Sequence, residues 1–203
     1  MEVFLVVWKN VPIVALFLFL ISSISLGIFI ERLANVKKSK VLPKNWKQIK
    51  VYLLNGNYEA ALALLKKDKK PLSRILANIL ELYIKGEISK VELRQMIEGE
   101  AGIIRYELAK RISFISASVT LATLLGLIGT VFGLIEVFSA FSFSTPEGFK
   151  LLAKGIATSL NSTALGLLVA IFNYLLYWFI NTRVDAVYAK ILKELEEMLE
   201  LIK

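Results

Sequence analysis

Three stretches of the chain run through apolar residues without a charged side chain: Val11–Ile30, Ile112–Ile135 and Gly155–Thr182. A helix rises about 1.5 Å per residue, so even the shortest spans roughly 30 Å, the hydrocarbon thickness of a bilayer. The third is long enough to cross with tilt. A chain of 203 residues builds no soluble core large enough to hide three such helices, so all three predict transmembrane spans. Glu2 and Lys9 precede the first stretch, whereas Arg32, Lys37, Lys38 and Lys40 follow it. That is the charge order of a stop-transfer span rather than of a cleaved signal peptide.

Between the first two stretches the pattern turns amphipathic. Lys47–Leu54 and Tyr58–Leu65, joined by Asn55-Gly56-Asn57, predict a short helical hairpin. Leu72–Lys85 starts after Pro71 and stops at Gly86. Ser89-Lys90-Val91-Glu92 fits a capping box and opens a helix whose apolar positions include Val91, Leu93, Met96, Ile97, Ile103, Ile104 and Leu108. Nothing breaks that helix before Arg111, which predicts that it runs into the second span. Val187, Ile191, Leu195, Met198, Leu199 and Ile202 extend the third span in the same way. The expected fold is an all-α integral membrane protein with three transmembrane helices, two of them long and reaching into the cytoplasm, beside a helical cytoplasmic region.

Charge sets the orientation. Segment 31–111 holds 18 of the 25 basic residues against 9 acidic ones, and the positive-inside rule places it in the cytoplasm. The expected segments are a periplasmic N-terminus with the first span (1–33), a cytoplasmic helical region (34–111), the second span (112–140), a periplasmic loop (141–154), the third span (155–182) and a cytoplasmic C-terminal helix (183–203). The net charge of +8 therefore reflects topology rather than a nucleic-acid footprint, and no nucleic-acid motif accompanies it. The chain has no Cys and no His. That removes thiol chemistry, the usual zinc and haem ligands and a Ser-His-Asp triad, so no catalytic residue, metal or cofactor is expected and the chain does not read as an enzyme.

The spans carry small and polar residues instead. The second has Thr120, Thr123, Gly126, Gly129, Thr130 and Gly133, with 123, 126, 130 and 133 on one helical face. The third has Gly155, Ser159, Ser162, Thr163, Gly166 and Ala170 on one broad face, with Thr158 and Asn161 beside it. Small residues let membrane helices approach closely, and hydroxyls bond a neighbouring backbone. The same residues could line a hydroxyl-bearing passage, or a cleft for another helix. In the first span only Ser22, Ser23, Ser25 and Gly27 interrupt large apolar residues, which predicts that it faces lipid. A proton relay normally needs an ionisable group inside the membrane, and these three stretches have no Asp, Glu, His or Lys. Any ion movement calls for a partner that supplies one.

The run Ala122-Thr123-Leu124-Leu125-Gly126-Leu127-Ile128-Gly129-Thr130-Val131-Phe132-Gly133-Leu134-Ile135 resembles the second-span signature of the ExbB/TolQ/MotA proton-channel family, in its ExbB/TolQ branch. Ala157, Leu160, Thr163, Gly166, Leu167, Ala170 and Ile171 fall at the family spacing in the third span. Ile30-Glu31-Arg32-Leu33, Asn55-Gly56-Asn57-Tyr58-Glu59-Ala60-Ala61 and Pro71-Leu72-Ser73-Arg74-Ile75-Leu76 are similar to further family segments. The departures are Thr158 where these proteins often carry glutamate, and Thr123 and Phe172 where they often carry proline.

The resemblance implies a multi-pass protein of the bacterial inner membrane, forming a homopentamer in contact with membrane lipids. Its pore would hold the helices of an ExbD/TolR-like single-span partner whose aspartate carries the proton. It implies that Thr130 and Thr163 face that aspartate. On the reading of a hydroxyl-lined passage Thr158, Asn161 and Ser159 join them along the pathway, and Gly126, Gly129, Gly133 and Gly166 are the candidate packing residues. Proton flow would then drive work on the outer membrane through a TonB- or TolA-like protein. The competing readings are a structural scaffold oligomer without ion flux and a flagellar MotA-type stator.

Overall fold

The computed structural model describes residues 12–140 and 146–202, so the expected periplasmic N-terminus and the tip of the 141–154 loop lie largely outside the described residues. The described chain is helical throughout, as the patterning predicts: α1 Pro12–Asn35, α2 Lys38–Val41, α3 Trp46–Leu54, α4 Tyr58–Lys67, α5 Pro71–Ile84, α6 Lys90–Ala109, α7 Ile112–Ala140 and α8 Pro146–Leu201. Helices α1, α7 and α8 are long and apolar enough to cross a membrane. The chain divides into two units: one holds residues up to Glu31 and Arg111–Ile180, the other Arg32–Lys110 and the segment from Asn181 onward. The 56-residue helix α8 belongs to both.

The first unit is built from α1, α7 and the first part of α8. Its core joins Val14, Ala15 and Leu18 of α1 to Ala122 of α7 and to Leu165 and Ala170 of α8. The opposite sides expose Phe17, Phe19 and Ile24 on α1, Phe132 and Ile135 on α7, and Leu168, Ile171 and Leu175 on α8. So much exposed apolar surface suits hydrocarbon or neighbouring helices, not water. Contrary to the expectation for the first span, its serines do not all face outward. Ser25 is fully buried and donates to Ser118 Oγ at 3.0 Å, and Ser118 donates onward to the Ile115 carbonyl at 2.6 Å. Ser22 donates to Asn173 Oδ1 at 3.3 Å.

The second unit holds the short helices and the end of α8. Asn57 caps α4 through Oδ1, which accepts from Ala60 N, while Gly56 takes the left-handed conformation the turn requires (φ +71°). Gly86 does the same after α5. Ser89 and Glu92 form the predicted capping box at α6. Leu53, Leu65, Leu76, Leu80, Leu93, Ile97, Met198 and Ile202 close around a void of only about 10 Å³, too small and too apolar to hold water. Glu194 on α8 binds three groups: Lys38, Lys50 at 2.6 Å and Trp46 Nε1 at 2.6 Å. Partial burial works to raise this carboxyl, but the three bonds outweigh it and hold it at about 2.

One expectation fails. The helix opened by Ser89 does not continue into the second span: α6 ends at Ala109, Lys110 turns out of the helical conformation (φ −51°, ψ 134°), and Arg111 has φ +68° before α7 begins. No Gly or Pro marks this break, and a left-handed non-glycine residue costs about 1–2 kcal/mol. The packing of Leu93, Ile97, Ala101, Ile104 and Leu108 on one side, and of Ile112, Ile115 and Ala122 on the other, outweighs that cost. Helix α8, by contrast, runs unbroken, and it starts at Pro146, nine residues before the uncharged stretch.

Candidate functional site

Helices α7 and α8 approach through a mirrored series of small residues. A Cβ built on Gly126 would stand 2.9 Å from Gly166 Cα, and one on Gly129 would stand 2.8 Å from Ser162 Cβ. One on Gly133 would collide with Ser159, and one on Gly155 with Val137. The facing pairs thus run 126/166, 129/162, 133/159 and 137/155, the register of two antiparallel helices meeting along one seam. Glycine lets the backbones come this close, the device expected for helices packed in a membrane. All four predicted packing glycines lie in this seam, and it forms within a single chain.

Thr130 and Thr163 sit in the middle of the seam, and their hydroxyls bond one another. Thr130 Oγ1 also reaches the Ser159 carbonyl at 3.0 Å and the Gly126 carbonyl at 3.3 Å, and Thr163 Oγ1 reaches the Gly126 carbonyl at 3.3 Å. Each hydroxyl has one proton to donate, so the two share a small set of alternative acceptors. Their exposure differs. Thr130 is 8% exposed, closed in by the seam, whereas Thr163 is only half-buried. Thr163 can therefore meet a group from outside the chain, with Thr130 bonded behind it.

The other predicted residues divide. Ser159 is buried, bonds the Gly155 carbonyl at 3.0 Å and lends its own carbonyl to Thr130. Thr158 and Asn161 are half-buried but stand elsewhere. At about 100° per residue, Asn161 lies roughly 160° and Thr158 roughly 140° around the helix from Thr163. The structure joins Thr130, Thr163 and Ser159 in one place and does not bring Thr158 or Asn161 to it. Thr123 is exposed and bonds only its own helix, at the Val119 carbonyl.

Asn173 is a buried polar residue that the small-residue pattern does not include, whereas Ser162 is part of that pattern. Asn173 is fully buried, and among the described residues its amide nitrogen has no hydrogen-bond partner. An unpaired amide is costly inside an uncharged span, and that signal is present in the sequence at both Asn161 and Asn173. Ser162 Oγ is likewise buried without a partner, pressed against Gly129.

This chain resembles proteins of known kind. The Tol-Pal system protein TolQ of Haemophilus influenzae is 30% identical over 121 residues, which cover 60% of this chain and 50% of TolQ. The biopolymer transport protein ExbB of Aquifex aeolicus is 34% identical over 109 residues, covering 54% of this chain and 71% of ExbB. The chain therefore matches only about half the length of that TolQ. The solved structure of C. jejuni MotAB aligns with a TM-score of 0.51 at 16% identity, over 98% of this chain and 71% of that one, a likeness of fold alone. Residues 67–193, a segment that includes the whole α7–α8 seam and both threonines, match the MotA/TolQ/ExbB proton channel family, and the chain belongs to that family.

Proposed function

We propose that this chain is the ring-forming subunit of a proton-channel stator in the bacterial inner membrane. Five copies surround the helices of an ExbD/TolR-like partner, and the complex uses the proton motive force to energise outer-membrane transport or envelope maintenance through a TonB- or TolA-like protein. The observation that carries this reading is the Thr130–Thr163 pair, set in two stretches, Ile112–Ile135 and Gly155–Thr182, that contain no Asp, Glu, Lys or Arg. A proton carrier must then come from a second chain. Thr163 is half-buried, and on exchanging its bonds inside the seam its hydroxyl can accept from a protonated carboxyl or donate to an ionised one. With 34–111 in the cytoplasm, the N-terminus lies in the periplasm and the C-terminus in the cytoplasm. The role is transport, not catalysis.

Co-expression with an ExbD/TolR-like partner tests the reading. The expected results are co-purification, a mass corresponding to five copies of this chain, and proton flux in proteoliposomes reported by a pH-sensitive dye. A stable complex that passes no protons would instead support a structural scaffold.

A further inference from the structure

The second unit carries a cleft that the proton-channel reading does not use. It encloses about 670 Å³ and is lined by Pro43, Lys44, Asn45, Leu64 and residues 67–71. Asp68 builds it: Oδ2 accepts from Lys44 N at 2.8 Å and Oδ1 from Lys70 N at 3.0 Å, which ties the two walls together. Burial works to raise the Asp68 carboxyl, but these two N–H bonds, helped by the nearby charges of Lys70 and Lys44, outweigh it and hold it below the usual carboxylate range. Each of its oxygens thus accepts one backbone N–H. Lys70 is bonded as well, donating to the Ser39 and Leu42 carbonyls.

Lys44, Lys67 and Lys69 are different. They are exposed, and among the described residues their ammonium groups have no hydrogen bond or ion pair. Lys38 and Lys50 are matched to Glu194, and Lys66 and Lys85 to Glu81, whereas Lys37, Lys47, Lys110, Lys190 and Lys193 are unpaired among the described residues but do not line this cleft. The positive-inside rule accounts for basic residues in this segment, but it has no preference for gathering unpaired ones around one cleft. Four lysines against one carboxylate leave three positive charges uncompensated there. Lysine binds phosphate as a point charge, and the cleft volume falls within the range of small-ligand sites, about 300–1,000 Å³.

We propose that this cleft binds a phosphate-bearing anion through Lys44, Lys67 and Lys69. A soluble phosphate and an anionic phospholipid headgroup present the same chemistry, and the experiment separates them. Purified full-length protein in detergent is titrated with sodium pyrophosphate by calorimetry. In parallel it is titrated with short-chain phosphatidylglycerol against short-chain phosphatidylcholine. The variant is Lys44→Gln/Lys67→Gln/Lys69→Gln, and the control is Lys47→Gln/Lys150→Gln/Lys190→Gln, which removes equal charge from exposed positions elsewhere.

Saturable binding of pyrophosphate assigns a soluble anion, and preference for phosphatidylglycerol assigns a headgroup. In either arm the cleft variant should bind about tenfold more weakly, while the control binds as wild type does. If the triple variant elutes as aggregate, Lys67→Gln and Lys69→Gln are measured singly, and each should weaken binding. The proposal is overturned if wild type binds neither probe, if cleft and control variants weaken equally, or if the single variants bind as wild type does.

Discussion

Gly126 and Gly166 meet backbone to backbone. A Cβ added to Gly126 would lie 2.9 Å from Gly166 Cα, and one added to Gly166 would lie 2.7 Å from Gly126 Cα. Neither contact is with a flexible side chain that could swing aside, so the helices themselves would have to part. Gly126→Leu should therefore destabilise the individual chain by about 2–3 kcal/mol or more. Gly27→Leu, where nothing lies within 4 Å, should leave stability nearly unchanged. Thermal unfolding in detergent reads both, and equal melting temperatures would remove the seam from the account.

The two threonines should respond differently to valine. Thr130 is enclosed and bonds across the seam to the Ser159 carbonyl, so Thr130→Val should cost about 1 kcal/mol of stability. Thr163→Val, at a half-buried site, should cost less stability yet cut proton flux through the assembled complex at least as sharply. Melting temperature and flux measured on the same preparations separate the effects. Wild-type flux in the double variant would reduce both threonines to packing residues.

Asn173 and Ser22 offer a double-mutant cycle. Asn173→Leu strands the Ser22 hydroxyl and Ser22→Ala strands the amide oxygen, so each single change should cost stability. The double change also removes the buried, unpartnered amide nitrogen, and should be no less stable than wild type. Coupling between membrane-buried polar groups averages roughly 0.6 kcal/mol, within reach of a careful unfolding series. Additive losses would mean that the two side chains do not interact.

Glu194 gives a pH dependence of known sign. Its carboxyl is held at about 2 instead of 4.5, so its contribution is fully present above about pH 4.5 and is lost as the pH falls toward 2. The contribution is on the order of 3 kcal/mol, reduced where solvent screens the pair. Trp46, bonded to Glu194 Oε2, is the fluorescent reporter. In Glu194→Gln the acid-induced loss of stability between pH 5 and 2.5 should shrink, and an unchanged profile would assign that loss to other carboxylates.

The order of hydrophobic and charged residues by itself determined the three spans, the hairpin around Gly56, the capping box at Ser89 and the lack of any charged side chain in Val11–Ile30, Ile112–Ile135 and Gly155–Thr182. These are local or compositional properties: a bilayer reads length and charge, and a cap or turn is settled within four or five residues. Tertiary structure alone decided how the small residues pair. Gly126 could have faced lipid, another subunit or its own chain, because helical periodicity defines a face without naming what lies against it. Only the antiparallel register of α7 and α8 sets Thr130 against Thr163 and leaves Thr158 and Asn161 aside. Arg111 makes the same point for the backbone: no breaker marks it, yet φ reaches +68° because the packing on either side outweighs the local preference for a continuous helix.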